Sequence, residues 1–372
     1  MEPMRYPDTE NPSRAHFLPD PVPSLAALVR VREPGSETKT FIGLDHNERL
    51  APFPDWFVER IRQSVGSALL TKYPVQDELH RRLCREFELR EEQLLLTPGS
   101  DAAVKAVYQV YVRRGDRIVI LDPTYAMYSV YAQMFGGEAI RISFDRELRV
   151  DTDFLLSRIS TGVRLVMLAN PNQPTATLLD EQILKQVIDR AHEIGALVAV
   201  DEAYYPFSHM TVLPWIREKV NLVVIRSFSK AAGLAGLRIG FVAGHEEVVQ
   251  NLYKVRSIYD VNSMAILCAE QILSHPEVVD DYVAQVEEGK QLLAARAAQL
   301  GLVALPTHTN FIFLRVGHRC APVELVERLR DHRYLVKTAP DHPCLVDCIR
   351  VTLGPPELMA AFADILEELM NT

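Results

Sequence analysis

The sequence predicts an α/β protein: a mainly parallel sheet covered by helices on both faces, followed by a second, smaller α+β lobe. Three observations predict it. Short apolar runs without period-two alternation are separated by helical stretches, the pattern of strands buried on both faces. The chain has 372 residues, more than one hydrophobic core usually serves. After His245 the alternation gives way to long helical patterns and two strand-like runs.

Residues Phe57 to Ser67 read as an amphipathic helix, and so do Asp77 to Leu89. "LLLT" ends at Thr97, and Pro98-Gly99-Ser100-Asp101 leads into a helix to about Val112. "RIVILD", Arg117 to Asp122, is followed by Pro123-Thr124-Tyr125 and another helix. "RLVMLAN" ends at Asn170, "ALVAVDEAYY" spans Ala196 to Tyr205, and "LVVIRSFSK" follows. "LRIGFVAG" is read as a further strand close behind that loop, and an antiparallel one. Beyond His245, "EEVVQNLYKVRSIYDVNSMAILCAEQIL" and "DDYVAQVEEGKQLLAARAAQLG" are long helical patterns. The strand-like "NFIFLRV", the helical "APVELVERLRDH", the strand-like "CIRVTL" and a helix from about Pro355 complete the second lobe. The expected division is an amino-terminal arm and part of the small lobe over 1–45, the large lobe over 46–258 and the small lobe over 259–372. The opening "MEPMRYPDTENPSRAHFLPDPVPS" is proline-rich and has no apolar h-region, so it reads as an extended arm rather than a signal peptide.

Composition narrows the function. A net charge of -9 argues against a protein that tracks nucleic-acid phosphates. No run is long and apolar enough to span a membrane. The five cysteines are scattered and odd in number, which fits reduced cytoplasmic thiols better than a disulfide framework. Cys344 and Cys348, with His342 nearby, lack a second ligand pair, and no metal site is expected.

Polar residues collect at the ends of the strands. In order they are Gly99-Ser100-Asp101, Tyr125, Asn170 to Thr175, Asp201 to Tyr204, and Ser227 to Lys230. In an open α/β sheet that edge binds ligands. Singly, each has a plain structural reading: an N-cap, a turn carboxylate, a surface lysine. Together they suit one ligand. Free N–H groups after Gly99 attract a phosphate, and Ser227, Ser229 and Arg238 add hydroxyls and a fixed positive charge. Asp201 offers a carboxylate to a protonated ring nitrogen, Tyr125 a flat face, and Lys230 an amine for an aldehyde. A phosphorylated pyridine aldehyde is pyridoxal phosphate.

At this point the chain resembles a known family: the fold-type I pyridoxal-phosphate enzymes of the aspartate-aminotransferase superfamily, in the histidinol-phosphate aminotransferase branch. The motifs are "SFSKAAGLAGLR", "DEAY" at Asp201 to Tyr204, "DPTYAMY", "KYP" and "IRVTLG", in the family's order. The resemblance covers about Leu44 to Leu369. It implies the aspartate-aminotransferase fold, with a seven-stranded, mainly parallel sheet in the large domain. It implies an aminotransferase with Lys230 as the cofactor-bearing lysine and proton shuttle, and Asp201 on the pyridine nitrogen. Tyr204 is expected on the cofactor's phenolic oxygen and Tyr125 on its ring. Ser100, Asp101, Ser227, Ser229 and Arg238 are expected on its phosphate, and Arg350 on the substrate carboxylate. Tyr73, in "KYP", is implied to reach the other subunit's phosphate in a homodimer with shared sites.

Two stretches depart from the family pattern. "NPNQPTAT" stands where "NPNNPTG" is usual, putting Gln173 in place of an asparagine and Ala176 in place of a glycine; Gln173 keeps the amide donor. "HNERLAPFP" stands where the family has "NENP", leaving Asn47 as a substrate-pocket residue and the accepted side chain open. The same fold also hosts amino-acid decarboxylases and elimination or cyclising lyases, so a lyase is the alternative reading. A non-catalytic binder is the third, and it would not need Lys230.

Overall fold

The computed structural model describes residues 22–26, 28, 40–339 and 341–371. Apart from Val22 to Ser24, the extended arm expected at the start lies outside the described residues. Helix α1 (Pro23–Ala26) and strand β1 (Ile42–Gly43) come first, then α2 (Asp55–Ser64), α3 (Ser67–Thr71) and α4 (Asp77–Glu86). Seven strands make the central sheet: β2 (Leu94–Thr97), β3 (Arg117–Asp122), β4 (Glu138–Ser143), β5 (Val163–Ala169), β6 (Leu197–Asp201), β7 (Leu222–Ser227) and β8 (Gly240–Gly244). Between them run α5 (Ser100–Tyr111), α6 (Ala126–Met134), α7 (Thr152–Arg158), α8 (Glu181–Glu193) and α9 (Tyr205–Ser208).

The strand order is β2-β8-β7-β6-β5-β3-β4, and only the two pairings made by β8 are antiparallel. The missing polar alternation has a direct cause. Val198 and Val200 enter one core while Leu197 and Ala199 enter another across the sheet, and Leu222 and Val224 alternate with Val223 and Ile225 in the same way. Both faces are apolar because helices cover both. The edge strand β4 was not anticipated: it is largely part-exposed, and "EAIRIS" mixes charge into the run.

Past β8 come α10 (Glu246–Tyr253), α11 (Ser263–Ser274) and α12 (Glu277–Gln299). The single helical pattern expected from Glu246 onward is therefore broken. Asn262 caps a new helix, its side chain accepting from the Ala265 N–H at 2.8 Å. Helix α11, expected with the second lobe, buries Ala265, Ile266, Ala269 and Ile272 in the first core. The second lobe adds β9 (Val303–Ala304), β10 (Phe311–Arg315), α13 (Pro322–Asp331), β11 (Tyr334–Leu335), β12 (Lys337–Thr338), β13 (Cys348–Thr352) and α14 (Pro356–Asn371). Four of these strands form an antiparallel sheet, β12-β13-β10-β9, over a core that includes Tyr282, Leu293, Ile312, Leu314 and Phe362. β1 pairs in parallel with β11 and carries Leu44 into that core. No helix among the described residues is long and apolar enough to cross a membrane.

Candidate active site

Register assembles the chemistry. Thr97 of β2 and Ser227 of β7 both pair with Gly240 of β8, while Asp201 of β6 pairs with Ala169 on one side and Ile225 on the other. The parallel strands thus end at one sheet edge, the edge that binds ligands in such folds. A cleft of about 650 Å³ opens there. Ser100, Asp101, Tyr125, Gln173, Asp201, Tyr204, Ser227, Ser229, Lys230 and Arg238 line it, and Asn47 and Arg350 join them. Tyr73 does not: it lies on the surface, stacked on Tyr259 with ring centroids 4.2 Å apart.

At one end, α5 begins behind Gly99, whose φ of 84° suits glycine. A Cβ on Gly99 would come 2.7 Å from Arg238 Nη2, and one on Gly240 would come 2.9 Å from the Ser100 nitrogen. The two glycines keep the helix terminus open beside a guanidinium. Arg238 itself has φ 56° and donates to the Ser229 hydroxyl at 3.4 Å and to the Ala235 carbonyl at 3.1 Å. Helix N–H groups, hydroxyls and a fixed cation make an anion cradle.

In the middle, Asp201 is buried. Its Oδ2 accepts from the Tyr128 hydroxyl at 2.9 Å and its Oδ1 from the Ala203 N–H at 3.1 Å. Burial pushes its carboxyl up to about 6, against these two bonds. A buried carboxylate under that strain is relieved by a cationic N–H. Tyr125 presents its ring to the cleft and donates to Asp101 Oδ1 at 3.3 Å, while Tyr131 donates to Asp101 Oδ2 at 2.8 Å. Burial pushes the Tyr125 phenol well up, so it stays a donor.

At the other end, Lys230 Nζ donates to the Asn47 carbonyl at 3.2 Å and lies 5.7 Å from the Tyr204 ring centroid. Asn47 Nδ2 donates to the Tyr204 hydroxyl at 3.0 Å. Arg350, nearly buried on β13, donates to the Asp45 carbonyl and sits 5.5 Å over the Phe311 ring. These groups fit pyridoxal phosphate: an open cradle for its phosphate, a buried carboxylate for its ring nitrogen, and an amine on neutral carbonyls for its aldehyde.

Several roles in the site escaped the sequence reading. Tyr128 and Tyr131 follow Tyr125 at helical spacing, a signal present in "YAMYSVY". Asn172 ties the Gln173 loop to the Tyr125 loop, accepting from Thr124 at 2.7 Å and donating to the Pro123 carbonyl at 2.9 Å. Phe313, Lys337 and His342 arrive from the second lobe, where only tertiary structure could place them.

The model of the family described as aminotransferase class I and II matches residues 39–366. A histidinol-phosphate aminotransferase of Roseiflexus castenholzii is 33% identical over 303 residues, 80% of this chain and 80% of its own. Histidinol-phosphate aminotransferase 1 of Ralstonia nicotianae is 33% identical over 331 residues, 87% of each chain. The crystal structure of histidinol-phosphate aminotransferase from Sinorhizobium meliloti in complex with pyridoxal-5'-phosphate has the same fold, with a TM-score of 0.83 at 24% identity over 97% of this chain and 99% of that one. On this match along most of its length, the chain belongs to the class I and II aminotransferases, which are pyridoxal-phosphate-dependent enzymes.

Proposed function

We propose that the protein transfers an amino group between an amino acid and a small keto compound of the kind handled by the histidinol-phosphate aminotransferases it resembles. The observation that carries this is the convergence of Lys230, Asp201 and Arg350 on one cleft. When bound, pyridoxal phosphate supplies an aldehyde and an electron-accepting ring. Lys230 Nζ would hold the cofactor and, once the substrate's amino group has displaced it as a free amine, would accept the proton from the substrate Cα. Asp201 keeps the proton on the ring nitrogen, and Tyr125 covers the ring. Tyr204 and Gln173 serve the phenolic oxygen. Ser100, Asp101, Ser227, Ser229 and Arg238 hold the phosphate. Arg350 takes the substrate carboxylate in a two-pronged grip, and Asn47 borders the substrate. Lys337 pairs directly with Arg350 across β12 and β13, and a second cation on that wall supports an acceptor with a further anionic group such as phosphate.

The same reading makes the protein a homodimer with shared sites, Tyr73 reaching the partner subunit's phosphate cradle. Its support is an exposed apolar surface of Tyr73, Val75, Ile258 and Tyr259, larger than scattered single residues would give. The proposed lobes are an arm and part of the small lobe over 1–45, a large lobe over 46–258 and a small lobe over 259–372, with α11 of the last packed into the core that the large lobe builds. The five free cysteines support a cytoplasmic, reducing location.

The test is a panel of amino donors, glutamate among them, against keto acceptors with and without phosphate, read by mass spectrometry. Amine on an acceptor supports the reading. Carbon dioxide, or an eliminated or cyclised product, points to a lyase.

A further inference from the structure

Helix α6 and the residue before it place three tyrosines at three-residue spacing: Tyr125, Tyr128 and Tyr131. Side chains so spaced share a helix face. The outermost, Tyr125, faces the cleft. Tyr131 reaches Asp101. Tyr128, between them, is fully buried, packs edge-on against Tyr125 with centroids 5.5 Å apart at 85°, and spends its hydroxyl on Asp201.

We propose that Tyr128 is a positioning residue for the cofactor ring: its hydroxyl fixes the Asp201 carboxylate facing the ring nitrogen and stabilises its anionic form. This rests on the reading of Asp201 as that nitrogen's partner. The geometry is specific. With Tyr128 on Oδ2 and Ala203 on Oδ1, both oxygens are held, so the carboxylate plane cannot turn. No water replaces a lost hydroxyl easily, because Tyr128 has no exposed surface. The charged side chains that act most on Asp201, Asp101 from α5 and Glu202 next in the chain, are both acids and oppose its anion, while the cations Lys230 and Arg238 line the same cleft. Tyr125, also near, is neutral and already engaged with Asp101. Tyr128 is therefore the one side-chain donor on Asp201 among the described residues. One short helix thus sets both the flat ring surface and the carboxylate to which the ring is tethered.

The experiment is a double-mutant cycle on the holoenzyme with Tyr128→Phe, Asp201→Asn and the pair. Two readouts are taken: the dissociation constant of pyridoxal phosphate, and the pH midpoint of the bound cofactor's absorption change. Tyr128→Phe is expected to weaken cofactor binding roughly tenfold, the scale of a hydrogen bond to a charged group. It should move the midpoint in the same direction as Asp201→Asn, by less. Added to Asp201→Asn it should change neither, because Tyr128 acts through that carboxylate. Tyr108→Phe, which removes a buried hydroxyl with no hydrogen-bond partner among the described residues, should leave both at wild-type values.

If Tyr128→Phe matches wild type while Asp201→Asn does not, the proposal fails and Asp201's role stands. If Asp201→Asn itself moves neither readout, Asp201's role fails and takes the proposal with it. An equal loss in both backgrounds, or a failure of Tyr128→Phe to fold in either, makes Tyr128 a packing residue only and overturns the proposal.

Discussion

Asn47 links Tyr204 to Lys230: its Nδ2 donates to the Tyr204 hydroxyl at 3.0 Å while its carbonyl accepts from Lys230 Nζ at 3.2 Å. The residue is itself held from the second lobe. Its N–H donates to the Thr352 hydroxyl at 3.0 Å, and Asn310 Nδ2 donates to its carbonyl at 3.1 Å. Its φ of 55° is left-handed, a conformation asparagine tolerates better than most residues. One strained residue thus joins the amine and the phenol of the large lobe to strands of the small one.

That arrangement separates two effects. Asn47→Gly and Asn47→Ala both remove the donor to Tyr204, and both should lower kcat roughly tenfold, the scale of one lost active-site hydrogen bond. Only alanine adds a Cβ in the left-handed region. In urea unfolding, Asn47→Ala should be less stable than Asn47→Gly by about 1 kcal/mol. Equal stability would mean the φ is not retained in solution.

Much of the site was legible because its residues stand at strand ends in a fixed order. Asp201 closes β6 and Ser227 closes β7, so a correct reading of two buried strands places both. β3 and β2 were legible for the same reason, as unbroken apolar runs. β4 was not, since an edge strand with exposed charge carries no such run. The break before α11 was hidden because "YKVRSIYDV" keeps apolar residues at helical spacing, while Asn262 caps from the side. The spacing of Tyr128 behind Tyr125 was visible, but its bond to Asp201 was not, because that partner lies 73 positions away in another element. Contacts made across lobes, such as Asn47 to Thr352, have no local signature.

Asp201 gives a prediction for the cofactor-free protein. Its folded carboxyl is raised from the usual 3.8 to about 6 by burial. Between those values the folded chain keeps a proton that the unfolded chain has lost, so stability falls as pH rises through that window and levels off above it. The total is roughly 3 kcal/mol. Asp201→Asn should remove this slope, measured by urea unfolding from pH 4 to 7. Parallel curves for wild type and variant would refute the shift.

Lys230 donates to backbone carbonyls, of Asn47 at 3.2 Å and of His46 at 3.5 Å, rather than to a carboxylate. An amine so held is free to react with an aldehyde without breaking an ion pair. Borohydride reduction of the holoenzyme followed by peptide mapping should place the pyridoxyl label on Lys230. A label on any other lysine removes it from the centre of the mechanism.

Behind Asp201, Glu202 turns to the opposite side and is fully engaged. Arg226 donates to its Oε2 through Nε at 3.0 Å and Nη2 at 2.9 Å, and the Tyr205 ring lies 3.6 Å from the guanidinium. Both side chains are buried, so removing one strands the other's charge. Arg226→Met should cost about 3–5 kcal/mol in denaturant unfolding. The pair Arg226→Met with Glu202→Leu should recover part of that loss, because no unpaired charge remains; a double variant no more stable than Arg226→Met would mean the lost contacts to Thr211 and Val212 dominate instead.

Tyr73 tests the assembly. It is 74% exposed, and its stack on Tyr259 covers one face only. An aromatic pair on the surface beside Val75 and Ile258 has little reason to be there in a monomer. If Tyr73 completes the partner's phosphate cradle, the active sites of a C2 dimer are each built from two chains. Lys230→Ala then disables a subunit's own site, and Tyr73→Phe weakens the partner's. In a hybrid of the two variants, one site carries both lesions and the other carries neither. Mixing the inactive Lys230→Ala protein with the weakened Tyr73→Phe protein under subunit exchange should therefore raise activity above the mean of the two parents, approaching one wild-type site per hybrid dimer. Hybrids isolated by two affinity tags give the measurement. If purified hybrids show no gain, Tyr73 acts within its own chain or only packs against Tyr259.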